Sequence, residues 1–344
     1  MSILIQARLP SKLFKLVIVY GLSSWMLTAA NLYAAETSWT LPRTASGAPD
    51  LQGLWNYVSS TPFERPPELG DKRAYTEDEA QVVEADARES ERIRIQPLDP
   101  ERGLPPKGEF VAHKADENFI PEMSTKVARV NGEYRTSLII EPSDGRLPYL
   151  EEGMDIFEQW QAMGFSGFEG PEIRPASERC LVHGAPLPNM HPLVGLNIQI
   201  VQTDEYVVVV TESAYYPRII PLSRDHQPNS WNKWMGDSIG RWDKDTLVVQ
   251  TRNFRPEQSD LTYFLQSSDE LTITERFTIV SEDELAYSYI ASDPNIYSQS
   301  FTVEIPMERM AEGERLYEYA CHEGNYSLPG ILAGARRQEL DNQR

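Results

Sequence analysis

Short segments with strand character follow one another through the second half of the chain, separated by tight acidic turns. Leu196–Gln202 alternates apolar and polar residues over most of its length, and Asp204-Glu205 separates it from the apolar run Tyr206–Glu212. Alternation with a period of two is typical of a strand that buries one face. Similar segments bring the total to about ten strands, and no helices alternate with them. This pattern predicts an antiparallel meander rather than a parallel α/β sheet. The other predicted strands are Leu51–Tyr57, Tyr134–Glu141, Arg218–Leu222, Ile239–Trp242, Thr246–Thr251, Leu271–Val280, Leu285–Ser292, Phe301–Met307 and Arg315–Cys321.

Such a meander has two ways to bury its apolar faces. An up-and-down barrel removes exposed sheet edges and can enclose a ligand, whereas a β-sandwich is the competing arrangement. Thr76 and Glu79 have the spacing of a helix capping box and predict a surface helix over 77–94; further helices are expected at 151–163 and 330–340. The expected fold is therefore mostly β, an antiparallel barrel with a few peripheral helices.

The N-terminal segment has the layout of a secretory signal peptide. A basic start is followed by the apolar run Leu16–Leu27 and by the small pair Ala34-Ala35. The apolar run is shorter than the roughly 20 residues that span a bilayer, although an uncleaved anchor is the alternative interpretation. We expect residues 1–35 to be removed, leaving a periplasmic or secreted protein. Residues 36–344 then form one barrel domain, with a long irregular or helical covering segment at 58–130.

Charge and missing motifs exclude several classes of function. The chain carries 32 Lys and Arg against 52 Asp and Glu, a formal net charge of −20. Binding to nucleic acid or to an anionic membrane requires clustered basic residues, so we expect neither partner. The sequence lacks a Gly-x-Ser-x-Gly elbow, a Walker loop and a dinucleotide fingerprint. No cofactor is predicted, and no segment beyond the signal peptide is apolar enough to span a membrane.

Cys180 and Cys321 are the two cysteines of the chain. An even pair in an exported protein favours a disulfide, because the extracytoplasmic compartment is oxidising. Two alternatives stay open. The cysteines, together with His183 and His322, have the composition of a Cys₂His₂ metal site, and either thiol is also a candidate nucleophile. No metal is assigned.

Several stretches together resemble a family of exported bacterial proteins of unassigned function, some of whose members are described as lipocalin-like. Gly53-Leu54-Trp55 also resembles the Gly-x-Trp that opens lipocalin-type barrels, in which the Trp closes the barrel floor. The resemblance implies a lipocalin-like (calycin-type) barrel and carries no reaction or catalytic residue with it. The stretches that carry it are Pro42–Trp55, Pro142–Tyr149, Arg218–Leu222, Gly236–Phe254 and Tyr319–Tyr326.

Three residues are candidates for proton transfer. His322 and Glu323 follow a predicted strand, where a barrel rim would place a histidine that titrates near neutral pH beside a carboxylate. Asp237 lies between two glycine-bearing turns and is a candidate acid or base facing the cavity. The structural alternatives are that residues 319–326 form a disulfide-bearing turn and that Asp237 caps a turn.

Other residues are candidates for ligand binding. Glu212 and Arg218 flank the turn between two strands and would bind a polar head group as a pair; a rim ion pair is the alternative. His183 and His191 lie in a proline-rich segment suited to cover a barrel mouth. The aromatic candidates in the two dense motifs are Trp234 and Tyr326.

The predicted function is the binding of a small apolar or amphipathic molecule inside the barrel. The alternative is a metal-independent acid–base enzyme, an isomerase, cyclase or hydratase/lyase, that uses the same cavity. A structural or protein-interaction module has no support beyond the covering segment. The density of polar residues at 319–326 is the feature that separates binder from enzyme, because a passive binder needs no His-Glu pair there.

Overall fold

A computed structural model describes residues 39–57, 59–96, 101, 124–150, 166–174, 176, 178–181, 197–212, 217–228, 231–255, 267–318 and 320–343. The chain divides into two compact units, residues 1–40 and 41–344. Only Trp39 and Thr40 of the first unit are described, so the predicted signal peptide lies outside the described residues. Among the helices that are described, none has the length and apolarity needed to cross a membrane.

The described residues of the second unit form thirteen β-strands. The strands are β1 (Gly53–Asn56), β2 (Ala74–Tyr75), β3 (Arg129–Val130), β4 (Glu133–Arg135), β5 (Ile139–Glu141), β6 (Asn197–Gln202), β7 (Tyr206–Thr211), β8 (Arg218–Pro221), β9 (Asp237–Asp243), β10 (Thr246–Arg252), β11 (Thr272–Ile279), β12 (Glu284–Ser292) and β13 (Phe301–Arg309). The described residues also form the α-helices α1 (Glu77–Arg94) and α2 (Ser327–Asn342) and the 3₁₀ turns Pro67–Leu69 and Pro171–Ile173.

Ten of these strands form one antiparallel sheet that curls into a nearly closed barrel. Its order is β8-β7-β6-β1-β13-β12-β11-β10-β9, and β5 pairs with the first part of β13. The two end strands approach each other, because Arg218 on β8 donates from Nε to Ser238 Oγ on β9 at 2.9 Å. An even number of antiparallel pairings separates β8 from β9, so these two strands run in the same direction. The predicted barrel is confirmed, and the sandwich is not what this chain forms.

The inside of the barrel follows from the alternation in the sequence. On β12, Leu285, Tyr287, Tyr289 and Ala291 are buried while the residues between them are more exposed, and β11 and β13 show the same period. Successive side chains of a strand point to opposite faces, so the buried sets face inward.

Trp55 lies where the first strand meets the last. It is fully buried, donates from Nε1 to the Leu51 carbonyl at 3.1 Å, and has the Arg309 guanidinium 4.2 Å above its ring. Gly53 has φ 144°, and a Cβ at this position would overlap the Arg309 guanidinium. The glycine of the Gly-x-Trp motif therefore leaves room for Arg309 to stack on the buried Trp55.

A smaller layer covers the outer face of β13. Strands β2, β4 and β3 form a three-stranded sheet, and α1 begins with the predicted capping box of Thr76 and Glu79. Buried Arg135 on β4 pairs with Glu133 and donates to Glu304 on β13 at 2.6 Å. This ion pair fastens the small sheet to the barrel.

Two predicted elements differ from the structure. Tyr134–Glu141 is not one strand, because its start pairs with β2 and β3 while its end pairs with β13, and the chain changes sheets at 136–138. Arg315–Cys321 is not a strand: its described residues have no buried face, and the Tyr317 amide donates to the Glu212 side chain rather than to a strand. The terminal helix runs from Ser327 to Asn342, longer than predicted. The helix predicted at 151–163 lies outside the described residues.

Candidate functional site

A charged pair lies inside the barrel. Arg218 enters from β8 and Glu275 from β11, and their side chains are 5% and 0% exposed. Arg218 Nη1 donates to Glu275 Oε1 at 2.7 Å and Nη2 donates to Oε2, so the pair is bidentate. Bidentate geometry is the strongest form of an arginine–carboxylate contact.

Hydroxyl groups from three further strands complete the network. Arg218 also donates to Ser238 Oγ at 2.9 Å and to Thr251 Oγ1 at 2.8 Å, and the two hydroxyls lie 2.9 Å apart. Tyr287 donates its hydroxyl to Glu275 Oε1 at 3.0 Å. We call these five residues the interior polar group. They come from β8, β9, β10, β11 and β12, so strands of one sheet supply every member.

The charges of the interior polar group support each other. Burial opposes the charge on Arg218, but the Glu275 carboxylate outweighs burial and raises the pKa of Arg218. Burial, and then the negative charge of Glu275, raise the pKa of Tyr287 well above its usual range. The network therefore consists of one cation, one anion and neutral hydroxyls at neutral pH.

Aromatic side chains form the wall beside this group. Tyr287 packs against Phe277 with ring centroids 4.7 Å apart, and Tyr289 lies 6.0 Å from Tyr287 and 6.3 Å from Phe301. Each of these rings is buried. The inside of the barrel thus combines an aromatic and aliphatic wall with one compact polar region.

Asp237 was predicted to face the cavity, and the structure places it elsewhere. Its neighbour Ser238 faces inward, and successive residues of a strand face opposite sides, so Asp237 faces outward. Its fully buried carboxylate accepts hydrogen bonds from the segment that connects β8 to β9. The donors are Arg224 Nη2 at 2.8 Å, the Gln227 amide at 2.9 Å and Lys233 Nζ at 3.0 Å, and His226 Nδ1 lies 3.3 Å from the carboxylate. We call this set the Asp237 cluster.

The Asp237 cluster is suited to holding a loop and not to moving protons. Burial alone would raise the pKa of Asp237, but the hydrogen bonds from Arg224, Gln227 and Lys233 outweigh it and hold the pKa far below the usual range. Burial lowers the pKa of His226, against the opposing effect of Asp237. A carboxylate that accepts from three donors and has a depressed pKa is a poor general base near neutral pH.

The dense segment near the C-terminus lies on the surface. Cys180 and Cys321 form a disulfide, as predicted, which closes a separation of 141 residues. His322 and Glu323 follow it on an exposed turn, so this segment does not supply a histidine to the enclosed interior. Tyr326 is 83% exposed. Asn325 Nδ2 donates to the Glu178 carbonyl at 3.0 Å, which ties this turn to the chain around Cys180.

The remaining predicted ligand residues are not brought together. Glu212 accepts from Asn197 Nδ2 at 2.7 Å and from the Tyr317 amide at 2.9 Å, whereas Arg218 pairs with Glu275, so the predicted Glu212–Arg218 pair is wrong. Trp234 is half-buried, with the guanidinium of Arg255 5.3 Å and that of Arg179 5.9 Å from its ring. His183 and His191 lie outside the described residues.

Sequence reasoning missed Glu275, Tyr287 and Tyr289. A signal for Glu275 was present: it occupies the inward register of β11, between Ile273 and Phe277, where a charged residue breaks the apolar alternation. Its partner is 57 positions away in the sequence. The pairing therefore becomes visible only when the strand order is known.

A concavity lined by described residues lies outside the barrel. This outer groove has a volume of about 730 Å³ and runs between the small sheet and the outer face of β12 and β13. Both basic and acidic residues line it, including Lys126, Arg129, Glu284 and Glu308. Among the described residues, no three His, Cys, Asp or Glu side chains converge to hold a metal ion.

The chain matches no protein-family model and no curated protein.

Proposed function

We propose that this protein is exported and that its barrel binds one small apolar or amphipathic molecule. The observation that carries the proposal is the interior polar group, a compact set of charged and hydroxyl groups within otherwise apolar walls. Small-molecule sites have this composition, with mostly apolar lining and a few polar groups that fix orientation. The signal-like N-terminus and the disulfide support the extracytoplasmic location.

Binding is favoured over acid–base catalysis by where the candidate proton-transfer residues lie. His322 and Glu323 are exposed, and Asp237 faces outward with its carboxylate held by hydrogen bonds from Arg224, Gln227 and Lys233. Within the interior polar group, the bidentate bonding of Arg218 to Glu275 neutralises both charges. The interior polar group is therefore better suited to orienting a ligand than to abstracting a proton.

A fluorescence titration with N-phenyl-1-naphthylamine, a neutral apolar probe, tests the proposal on protein purified from the extracytoplasmic fraction. Ala291 faces inward on β12, between Ile273 and Phe301, and Ala286 on the same strand faces the outer groove. Ala291→Phe fills part of the interior and is expected to weaken binding by about tenfold or more. Ala286→Phe is the matched control and is expected to leave the affinity unchanged.

Two results would contradict the proposal. The first is the reverse pattern, in which Ala286→Phe removes binding and Ala291→Phe does not, because the probe then occupies the outer groove. The second is the absence of saturable binding to the unmodified protein. Circular dichroism checks that each variant is folded, and Ala291→Leu repeats the test with less overpacking. N-terminal sequencing of the same sample checks export: a start near Glu36 supports it, and an intact Met1 contradicts it.

A further inference from the structure

One inward-facing hydroxyl differs from the rest of the barrel interior. Tyr289 is 1% exposed, and its hydroxyl has no hydrogen-bond partner among the residues that the structure describes. Two other buried polar atoms share this property, Ser60 Oγ and Arg135 Nε, but both lie outside the barrel strands. Buried hydroxyls are normally hydrogen-bonded, so this one needs an explanation.

The contacts made by its neighbours explain why the Tyr289 hydroxyl has no hydrogen-bond partner among the described residues. Glu275 lies directly opposite Tyr289 in the β11–β12 register, yet the Glu275 carboxylate receives Tyr287 and Arg218 instead. Burial raises the pKa of Tyr289 well above its usual range, and the charge of Glu275 adds to the effect. Tyr289 is therefore a protonated hydroxyl, with its hydrogen available to an acceptor.

The charges nearby limit which acceptor would fit. Arg218 and Glu275 neutralise each other, and Arg218 also donates to Ser238 and Thr251. A ligand carboxylate or sulfonate at this position would need Arg218 as its counter-ion, but Arg218 already pairs with Glu275. A ligand ammonium group would need Glu275, which is already paired with Arg218. Burying a charge without a partner is strongly unfavourable. The electrostatics therefore select a ligand whose polar atom is uncharged.

We propose that Tyr289 donates a hydrogen bond to the bound ligand, and that the ligand presents an uncharged oxygen acceptor such as a ketone, ester or amide carbonyl. The aromatic wall of Tyr287 and Phe301 packs against its apolar body. This inference rests on the proposed function and narrows it, because it names the class of ligand and the residue that donates a hydrogen bond to it.

Three probes of similar size separate the possibilities. Prodan is a neutral naphthalene ketone whose emission reports hydrogen bonding to its carbonyl, N-phenyl-1-naphthylamine lacks a carbonyl, and 8-anilinonaphthalene-1-sulfonate carries an anion. The unmodified protein is expected to prefer Prodan over the sulfonate. Tyr289→Phe removes one hydroxyl and is expected to weaken Prodan binding about tenfold, with a blue shift of the bound probe, and to leave N-phenyl-1-naphthylamine binding unchanged.

Tyr134→Phe is the matched control, because it removes a tyrosine hydroxyl beside the outer groove. It is expected to change the affinity for neither neutral probe. The inference is overturned if Tyr289→Phe affects both neutral probes equally or neither of them, or if the sulfonate binds more tightly than Prodan. If no probe binds the unmodified protein, the proposed function itself fails. If N-phenyl-1-naphthylamine binds and the affinity for Prodan is the same in Tyr289→Phe, this inference is overturned while the proposed function stands.

Discussion

The barrel interior and the β8–β9 connection each bury one carboxylate beside a guanidinium, but they are built differently. Glu275 accepts hydrogen bonds, and its partner Arg218 donates them, within a network that five strands supply. The donors to Asp237 all come from one connecting segment, and two of them, Arg224 and Lys233, are 33% and 48% exposed. Groups fixed by several strands hold a geometry more precisely than groups on a loop.

This difference assigns a different role to each region. In the interior, water is excluded from both charges, so electrostatic interactions are strong and a ligand would be oriented by them. In the Asp237 cluster, the basic groups reach solvent and the carboxylate serves to fasten the returning segment onto β9. A buried carboxylate therefore indicates its role only when two further properties are known: which elements supply its partners, and how exposed those partners are.

The largest expected effect is at Glu275. Glu275→Gln leaves Arg218 as a buried cation without its anion and is expected to lower the free energy of unfolding by about 3–5 kcal/mol. The double variant Arg218→Met with Glu275→Leu removes both charges and is expected to recover most of that loss. Urea unfolding measures both. A loss below about 1 kcal/mol for Glu275→Gln would mean that the interior is solvated like a surface.

Asp237→Asn is expected to have a smaller effect, about 2–3 kcal/mol, because the charge-assisted bonds of one carboxylate are weakened while the basic groups keep their access to water. The loss should be accompanied by faster proteolysis within 222–236, which the cluster fastens. A loss larger than that of Glu275→Gln in the same urea series would reverse the comparison between the two regions.

The pH dependence of stability sharpens the same contrast. The folded pKa of Asp237 lies below its unfolded value of about 3.9, so its contribution is present above that value and is lost as the pH falls towards the folded pKa. His226 acts in the same direction, because its lowered pKa favours the unfolded state as the pH drops below about 6.5. Urea midpoints between pH 3 and 8 should fall on acidification. Asp237→Asn should flatten the part below about pH 4, and an unchanged acid slope would refute the assignment.

The smallest expected changes in stability distinguish two neighbouring tyrosines, Tyr287 and Tyr289. Tyr287→Phe breaks the bond to Glu275 and is expected to cost about 1–2 kcal/mol, whereas Tyr289→Phe removes a hydroxyl without a partner and is expected to be neutral or stabilising by less than about 1 kcal/mol. Thermal unfolding of the two variants without ligand gives the comparison. Equal destabilisation would show that Tyr289 is bonded in the folded protein and would remove the basis for its role in ligand binding.

The sequence predicted the barrel better than the site. Strands such as Leu271–Val280 were recognisable because burial of one face imposes a period of two, which survives in the sequence alone. The capping box at Thr76 is likewise local, and the helix it begins was predicted from 77 to 94. Elements that depend on local chemistry could thus be predicted.

The site depends on contacts between distant strands and could not be predicted in the same way. Arg218 was recognised as a candidate, but its partner was expected to be the sequence neighbour Glu212 rather than Glu275. Polar density drew attention to His322 and Glu323, yet a disulfide-bearing turn concentrates polar residues just as a site does. The more informative signal was a single charged residue, Glu275, among the apolar inward-facing residues of β11.

A crystal structure of the protein with bound Prodan tests the central claim most directly. The claim predicts one probe inside the barrel, with its carbonyl oxygen about 2.5–3.0 Å from the Tyr289 hydroxyl and its naphthalene ring against the aromatic wall. The Arg218–Glu275 pair should be intact in that complex. A probe bound in the outer groove or against the Asp237 cluster, with the barrel interior unchanged, would contradict it.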